Sequence, residues 1–365
     1  MKQYVLLNPG PVNIKENVRR ALLGPDICHR EPEFGELLLR CGKKLLKAFG
    51  ISDNYEVVFL TGSGTAALEA AVISSVPQKK KILVINNGIY GERIAQIARR
   101  YGIGAIDLKF KITGRPDLSV VEGKLKKDKS ISVVAMVHHE TSTGFLNPVN
   151  ETGALCRRYN KTYLLDSISA LGGEELDFKK AGIDLCAGTA NKCIESVPGV
   201  SFVLIKKSAI EGLKKVRPRS LYFDIPSNLN SQKKGETLFT PAVQAFYALD
   251  AALDELIKEG AGNRIKRYKD MAAFLRKGFE EANLKYLISP ELHSNTITAL
   301  RLPKGLSYQK LHDALKKEGF VIYAGQSKLK DVIFRIANMG QISKADAKKF
   351  LKNLKLILTA IKFKN

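Results

Sequence analysis

Short apolar segments alternate with amphipathic segments of helical length from residue 56 to about residue 205. Apolar runs of this kind are typical of strands buried on both faces, and alternation of strands with helices is typical of a parallel sheet covered by helices. We therefore predict an α/β fold whose large domain contains a mainly parallel seven-stranded sheet. The predicted strands are 56–60, 81–86, 105–110, 131–139, 162–166, 183–189 and 199–205, and the predicted helices include 64–76, 90–101 and 149–160.

The pattern changes after residue 240. The later elements that it predicts are a long helical region at 241–285, a strand at 295–302, a helix at 307–318, a strand at 331–338 and a lysine-rich helix from Ser343. We interpret this part as a smaller α+β domain packed on the large one. The predicted division is an N-terminal segment 1–20 that wraps between the domains, a large domain 21–255 and a small C-terminal domain 256–365.

Composition limits the classes of protein that fit this chain of 365 residues. Its five cysteines are scattered, without the paired spacing of a zinc site or a disulfide framework. No segment approaches the roughly 18 consecutive apolar residues that a membrane-spanning helix needs. The first residues also lack the pattern of a signal peptide. We expect a cytoplasmic protein with reduced thiols, no metal site and no membrane partner.

The net charge is unusually positive, with 59 basic and 36 acidic residues giving +23. Such a surplus can indicate a polyanion partner such as nucleic acid. The lysines are spread along the whole chain, however, and form no arginine-rich arm or basic motif interleaved with aromatic residues. We interpret the surplus as a solvated, lysine-rich surface that attracts small anions, and we expect no nucleic-acid partner.

Three polar positions interrupt the apolar strands of the large domain. Residues Ser63, Gly64 and Thr65 follow the first strand and open a helix, a turn that suits a phosphate or serves only as a tight connection. Asp166 ends a strand, where ligands bind in open α/β sheets, although a turn aspartate is equally typical there. Lys192 lies in a loop between two strands and is either a buried nucleophile or a solvated side chain.

Together the three elements indicate more than each one alone. Lys192 follows Asp166 by 26 positions, after the next strand. A phosphate turn, a strand-end carboxylate and a loop lysine are the groups that a pyridoxal 5′-phosphate (PLP) site requires. The turn would anchor the phosphate, the lysine would form a Schiff base, and the carboxylate would keep the pyridine nitrogen protonated.

At this point the chain resembles the class V, fold type I aminotransferases. The motifs that carry the resemblance run in order along almost the whole chain: NPGP (8–11), CHREPEF (28–34), TGSGTAALEA (61–70), NNGIYGER (86–93), HHETSTGFLNP (138–148), DSISALGG (166–173), ANKCIESVPG (190–199), FTP (239–241) and FRIANMG (334–340). Within that class, the HHETSTG and ANKC motifs are most similar to those of transaminases that act on 2-aminoethylphosphonate and pyruvate. The lysine loop, PGP and HR-x-x-EF occur more widely in the class.

The resemblance implies a role for each matching residue. Lys192 would be the Schiff-base lysine and Asp166 the partner of the pyridine nitrogen. The other implied roles are the phosphate cradle for Ser63, Gly64 and Thr65, ring stacking for Tyr90, a hydroxyl near the ring oxygen for Thr141, a phosphate contact from the neighbouring subunit for Thr240, and binding of the substrate's acid group for Arg335. Tyr90 could instead be a core residue, and Arg335 a surface charge. Ala337 replaces the glycine usual at its position, and the chain has no tryptophan.

The implied activity is PLP-dependent transfer of an amino group between 2-aminoethylphosphonate and pyruvate by a homodimer with shared active sites. An alanine–glyoxylate or serine–pyruvate aminotransferase of the same class is the first alternative, because the segment 28–34 follows the pattern of those relatives. A class V lyase or desulfurase would need a mobile cysteine, whereas we expect Cys193 to be buried. A basic nucleic-acid-binding protein with a PLP-type fold is the non-enzyme alternative.

Overall fold

The computed structural model describes residues 3–362, and it divides them between fourteen strands and thirteen α-helices. The strands are β1 (Val5–Leu6), β2 (Tyr55–Thr61), β3 (Lys81–Asn86), β4 (Gly104–Lys109), β5 (Ile131–Val137), β6 (His139–Glu140), β7 (Phe145–Leu146), β8 (Thr162–Asp166), β9 (Leu185–Thr189), β10 (Val200–Lys206), β11 (Ile297–Arg301), β12 (Phe320–Val321), β13 (Tyr323–Ala324) and β14 (Ile333–Ala337). The first seven predicted strands therefore match β2, β3, β4, β5, β8, β9 and β10.

The helices also follow the sequence pattern closely. They are α1 (Glu16–Arg20), α2 (Pro32–Ala48), α3 (Gly64–Ser75), α4 (Ile89–Arg100), α5 (Leu118–Lys127), α6 (Val149–Arg158), α7 (Phe178–Ala181), α8 (Ile210–Lys214), α9 (Ile225–Gln232), α10 (Val243–Glu259), α11 (Ala261–Glu281), α12 (Tyr308–Lys317) and α13 (Lys344–Lys362). Short 3₁₀ turns lie at Ala21–Leu23, Lys207–Ala209, Pro290–Leu292 and Ser327–Leu329. No helix within residues 3–362 is both long and apolar enough to cross a membrane.

The helices depart from the sequence prediction in two places. The predicted helical region 241–285 is divided into α10 and α11 at Gly260, whose φ of +82° is incompatible with a continuous helix. Helix α2 lies before the region in which strands and helices alternate. Its buried residues Phe34, Leu38 and Leu45 fall on one face, and Pro32 opens the helix at a position where a missing N–H costs nothing.

The seven-stranded sheet has the order β2-β10-β9-β8-β5-β3-β4. Strand β10 is antiparallel to both of its neighbours, and the other pairs are parallel. The predicted mainly parallel seven-stranded sheet is therefore confirmed. Because side chains alternate along a strand, Leu83 and Ile85 pack on one face with α2 and α10, and Ile82 and Val84 pack on the other face with α3 and α4.

A second, three-stranded antiparallel sheet has the order β11-β14-β13. Helices α11, α12 and α13 cover it, and Phe279, Phe334 and Phe350 are fully buried between them. Burial of each such side chain contributes about 1.5–3 kcal/mol to folding. Strand β1 pairs in parallel with β12 in a separate two-stranded sheet. Leu7 joins the same core, and its backbone oxygen accepts from the N–H of Ala337 in β14 at 2.9 Å, which anchors the N-terminal segment to the three-stranded sheet.

Candidate active site

The polar residues of the site lie at the carboxyl ends of the parallel strands. Asp166 is the last residue of β8, and Lys192 follows β9. Glu140 and Thr141 follow β5, and Tyr90 lies in the first turn of α4, after β3. Since parallel strands end at one edge of a sheet, the fold collects these side chains in one crevice, which is where open α/β sheets bind ligands.

Lys192 lies beside the N-terminal segment. Its Nζ donates a hydrogen bond to the backbone oxygen of Pro9 at 2.6 Å. A Cβ atom at Gly10 would lie 3.3 Å from the Lys192 side chain, and Gly10 has a φ of +109°, so this close approach favours glycine. Burial lowers the pKa of Lys192, while the charges of Tyr90 and Asp166 partly oppose that shift. A lowered pKa makes the amine a better nucleophile and base near neutral pH.

Asp166 is a buried carboxylate with 3 % of its surface exposed. Its Oδ1 accepts a hydrogen bond from the N–H of Ile168 at 3.0 Å. Burial raises the pKa of Asp166 to about 6, the hydrogen bond from Ile168 opposes the shift, and the charge of Glu140 adds to it. A carboxyl with this pKa readily shares a proton with a basic nitrogen.

The predicted phosphate turn forms the N-terminus of α3. The side chain of Ser63 makes no capping hydrogen bond, although Ser63 is the N-cap residue. A Cβ atom at Gly64 would lie 2.7 Å from the Ile168 side chain, so only glycine lets the backbone approach the segment after Asp166 this closely. Thr65 Oγ1 accepts a hydrogen bond from Arg93 at 3.3 Å. The open helix end and the guanidinium together suit a phosphate.

Arg335 is fully buried in the second sheet and reaches the same crevice. Its Nε donates to Ala324 O at 2.9 Å, and its Nη1 donates to Thr141 O at 2.8 Å. Within the described residues, Arg335 Nη2 and the hydroxyl of Thr141 are buried without a hydrogen-bond partner. Buried polar atoms normally have partners, so these two donors indicate a place for an anionic or polar ligand.

Tyr90 is partly buried, and the guanidinium carbon of Arg93 lies 4.7 Å from the centre of its ring. Tyr90, Asp166 and Arg335 each influence the pKa of Lys192 electrostatically. Thr240 is not part of this group, because it is exposed in the single chain.

Cys193 lies directly after Lys192 and is buried as expected. Its Sγ is within 3.7 Å of Ser169 O, and burial raises the pKa of the thiol far above its usual range. A desulfurase requires an accessible cysteine that reaches the cofactor as a thiolate. The position of Cys193 therefore counts against that alternative.

A buried ionic network supports the loop that carries Lys192. The carboxylate of Glu195 accepts hydrogen bonds from Arg267 Nη2 at 2.8 Å and from the hydroxyl of Tyr268. Arg264 is fully buried, and its Nη1 donates to the backbone oxygens of Cys193 and Ile194. Helix α11 thus holds the lysine loop in place through contacts with the Glu195 carboxylate and through hydrogen bonds to backbone oxygens of the loop.

Sequence reasoning missed Glu140, Arg93 and the Glu195 network. Glu140, Arg93 and Glu195 lie inside the quoted motifs HHETSTG, NNGIYGER and ANKCIESVPG, whereas the partners of Glu195 lie on α11. A signal existed for Glu140, because a charged residue three positions after the apolar strand β5 is expensive to bury unless it has a specific set of partners.

The aminotransferase class V family model matches residues 15–344. The chain belongs to the class V aminotransferases. Among curated relatives, it is 36 % identical over 351 residues to the 2-aminoethylphosphonate–pyruvate transaminase of Lysinibacillus sphaericus, covering 95 % of both chains. It is 35 % identical over 367 residues to the enzyme of that name from Salmonella paratyphi B, covering 99 % of this chain and 97 % of the relative.

Solved structures agree with this class V aminotransferase in fold. An alanine–glyoxylate aminotransferase from Nostoc superposes with a TM-score of 0.93 at 25 % identity, covering 98 % of this chain and 96 % of that one. An aspartate aminotransferase of subgroup IV from Thermus thermophilus gives 0.88 at 29 % identity, covering 98 % and 99 %. The fold predicted from sequence, PLP-dependent fold type I, is confirmed.

Family membership implies PLP as the cofactor, and the residues of this class V aminotransferase fit it. The open N-terminus of α3 suits the phosphate, the buried Asp166 suits the pyridine nitrogen, and the Lys192 amine suits a carbonyl carbon. The unpartnered hydroxyl of Thr141 supplies a further donor in the same crevice.

Proposed function

We propose that this chain transfers an amino group from 2-aminoethylphosphonate to pyruvate, giving phosphonoacetaldehyde and L-alanine. The observation that carries the proposal is the buried guanidinium of Arg335, whose Nη1 bonds Thr141 O at 2.8 Å and whose Nη2 is unpartnered within the described residues. A planar guanidinium binds a carboxylate or a phosphonate through paired hydrogen bonds, as these two substrates require. The names of the relatives at 35–36 % identity support this substrate pair.

The cofactor, when bound, supplies an electron-withdrawing ring that stabilises negative charge on the substrate carbon. Lys192 Nζ is the base that removes the proton from the carbon bearing the amino group and holds it, since burial lowers its pKa. Asp166 holds a proton at the pyridine nitrogen. Its buried carboxylate, placed against the ring nitrogen, would favour the protonated ring because an opposite charge in a buried site stabilises the cation.

The remaining predicted residues would bind the cofactor and orient the substrates. Ser63, Gly64 and Thr65 would bind the phosphate at the N-terminus of α3, with Arg93 next to Thr65. Tyr90 would stack on the pyridine ring, and the free hydroxyl of Thr141 would donate near the ring oxygen. Arg335 would orient the acid group of each substrate, so that the amine or the carbonyl faces Lys192.

We also propose a cytoplasmic homodimer in which Thr240 contacts the phosphate of the neighbouring subunit. One observation supports this part of the proposal: Thr240 is exposed in the single chain, so its side chain is open to contact with a second subunit. If dilution yields a monomer with full activity and full PLP affinity, this role for Thr240 is wrong.

The domain division into 1–20, 21–255 and 256–365 belongs to the same proposal. The separate cores of the seven-stranded and the three-stranded sheet support it. Limited proteolysis that cleaves first near Gly260, between α10 and α11, would agree with this boundary.

An alanine–glyoxylate aminotransferase is the second candidate, since such an enzyme shares this fold with a TM-score of 0.93. A half-reaction experiment separates the two. PLP-loaded protein is mixed in turn with 2-aminoethylphosphonate, L-alanine and L-serine, and the loss of the visible absorbance is followed. We expect 2-aminoethylphosphonate to react with the highest second-order rate constant and pyruvate to restore the absorbance. A faster reaction with serine, or restoration by glyoxylate alone, would overturn the substrate assignment.

A further inference from the structure

Glu140 is a fully buried carboxylate inside the candidate site, and the reaction outlined above does not use it. Its Oε2 accepts hydrogen bonds from the backbone N–H groups of Tyr90 at 3.1 Å and Gly91 at 3.3 Å. Its Oε1 accepts from the N–H of Ser142 at 3.2 Å and from the Ser142 hydroxyl. One side chain thus joins the first turn of α4 to the segment that follows β6.

The chain makes room for this carboxylate at Gly88. A Cβ atom there would lie 2.3 Å from Cδ of Glu140, closer than any two such atoms can approach. The backbone of Gly88 is extended, with a φ of 176°, which any residue can adopt. Glycine is therefore needed here for its lack of a side chain and not for its backbone freedom. The approach of Glu140 to α4 therefore depends on the absence of a side chain at Gly88.

Both ends of this connection hold a residue of the site. Tyr90 receives its position from the bond between its own N–H and Glu140. Thr141 lies between Glu140 and Ser142, and its backbone oxygen accepts from Arg335 Nη1 at 2.8 Å. Glu140 consequently holds the backbone that carries Tyr90 and lies next to Thr141, whose carbonyl contacts Arg335.

The hydrogen-bond partners of Glu140 are all neutral groups. Among the described residues, no basic side chain forms a salt bridge with it, and its four hydrogen bonds come from backbone and hydroxyl groups. Its charge nevertheless acts on the pKa of Asp166 and on that of Arg335. Glu140 therefore lies within electrostatic reach of both of these groups.

We propose that Glu140 is a positioning residue of the amino-transfer reaction, which holds Tyr90 at the cofactor ring and Thr141 beside Arg335. The inference rests on the proposed function for its kinetic consequence. Its structural consequence, an ordered first turn of α4, does not depend on which substrate reacts.

The test compares three variants with the wild-type protein. Glu140→Gln keeps the shape of the side chain but turns an amide NH₂ toward N–H or O–H donors. Gly88→Ala leaves Glu140 in the chain but displaces its carboxylate. Asp184→Asn is the matched control. The carboxylate of Asp184 is partly buried and likewise accepts a hydrogen bond from a backbone N–H, that of Tyr163 at 2.8 Å. Asp184 lies in the loop before β9, at the amino end of the strands and therefore away from the candidate site.

Three quantities are measured: amide hydrogen exchange of the peptide containing Tyr90 and Gly91 in cofactor-free protein, the visible absorbance of PLP-loaded protein, and the steady-state constants. In Glu140→Gln and Gly88→Ala we expect faster exchange of that peptide and a shifted visible band. We expect kcat to fall by on the order of tenfold to a hundredfold, as for a small misplacement of reacting groups. KM for 2-aminoethylphosphonate should change less than about threefold, because Arg335 keeps its bond to Ala324.

Asp184→Asn should leave exchange of the peptide, the visible band and kcat close to those of the wild type. The proposal is overturned if Glu140→Gln keeps wild-type exchange and a wild-type visible band. It is also overturned if Asp184→Asn lowers kcat as much at an equal loss of unfolding midpoint, since Glu140 would then act on stability alone. Should Glu140→Gln not fold, Gly88→Ala decides by the same criteria. If wild-type protein does not use 2-aminoethylphosphonate, the proposed function fails, while exchange and absorbance still test Glu140.

Discussion

Glu140 and Glu195 are both buried carboxylates beside the candidate site, and different kinds of partner satisfy them. Glu140 accepts hydrogen bonds only from backbone N–H groups and a hydroxyl among the described residues. Glu195 accepts from Arg267 and Tyr268, and Arg264 Nη2 lies 3.9 Å away. One carboxylate is therefore held by neutral donors, whereas the other belongs to an ion-pair network.

This difference separates two tasks in the same site. A carboxylate that accepts hydrogen bonds only from neutral donors has no opposite charge to cancel its own. It can therefore act on nearby titratable groups, and Glu140 raises the pKa of Asp166. A charge among arginines is largely neutralised and mainly fixes geometry, as Glu195 does for the loop after Lys192. We therefore expect changes at Glu140 to alter the chemistry of the site and changes at Glu195 to alter its stability.

The largest effect is expected at Arg335, where the two regions meet. Arg335 donates to Thr141 next to Glu140, and Gly340, which follows β14, accepts from Arg267 of the Glu195 network. Removing one partner of a charge-assisted pair costs about 2–5 kcal/mol, so Arg335→Ala should lower kcat/KM roughly 30-fold to several thousand-fold. Half-reaction titrations with 2-aminoethylphosphonate and with pyruvate measure this loss.

Arg335→Lys serves as the matched variant for that prediction. It keeps the charge but loses the planar fork, so its kcat/KM should lie between those of the wild type and Arg335→Ala. PLP content should stay near normal in both. Turnover of both substrates by Arg335→Ala within about threefold of wild type would show that the anchor lies elsewhere.

Glu195→Gln should destabilise the protein more than it alters the chemistry. Within residues 3–362, loss of the carboxylate leaves Arg264 and Arg267 with Glu259 as their remaining anionic partner. We expect the free energy of unfolding to fall by about 3 kcal/mol, the lower end for a broken buried ion pair, because Glu259 stays. Urea unfolding of cofactor-free protein measures this change.

Lys266→Gln is the control, since it removes an exposed ion pair with Asp270 on the same helix. The change in that variant should stay below about 1 kcal/mol. If Glu195→Gln is as mild as this control, or if it shifts the visible band as Glu140→Gln should, the contrast between the two carboxylates is wrong.

The smallest effect concerns the pH dependence of stability. Burial raises the pKa of Asp166 from 3.8 to about 6, so the folded protein binds this proton more tightly than the unfolded chain does. The stabilisation is complete below about pH 4 and is lost as pH rises to about 6. For cofactor-free protein it amounts to about 2–3 kcal/mol.

Asp166→Asn should lack this contribution, so its unfolding free energy should fall less between pH 4 and pH 6 than that of the wild type. Glu140→Gln should reduce the fall as well, because burial also raises the pKa of Glu140. Chemical unfolding of the three cofactor-free proteins over this pH range measures the differences. Parallel curves for all three would contradict the assigned burial of both carboxyls.

Much of the fold could be predicted because its signals are local. Apolar runs such as 81–86 and 162–166 coincide with whole strands, since a strand buried on both faces needs a continuous apolar segment. The antiparallel direction of β10 could not be predicted, because residues 200–206 look equally apolar in either direction. The break at Gly260 has a local signal, but a single glycine is also tolerated inside helices.

Part of the candidate site could be singled out from the sequence because three elements together supply the groups that one cofactor requires. Asp166 ends the apolar strand β8, and Lys192 lies in the polar loop after β9, so both candidates lie near the carboxyl ends of strands. Apart from Ser142, the partners of Glu140 and Glu195 could not be predicted, because they come from elements that are distant in sequence. Gln341, for example, donates to Glu195 across 146 positions.

The central claim is that Lys192 holds the cofactor of an amino-transfer site. Its most direct test is reduction of PLP-loaded protein with borohydride, followed by digestion and mass spectrometry of the lysine-containing peptides. We predict one phosphopyridoxyl group per chain, located on Lys192, and no stable label in Lys192→Ala. Labelling of a different lysine, or wild-type protein that stays colourless with added PLP, would contradict the account.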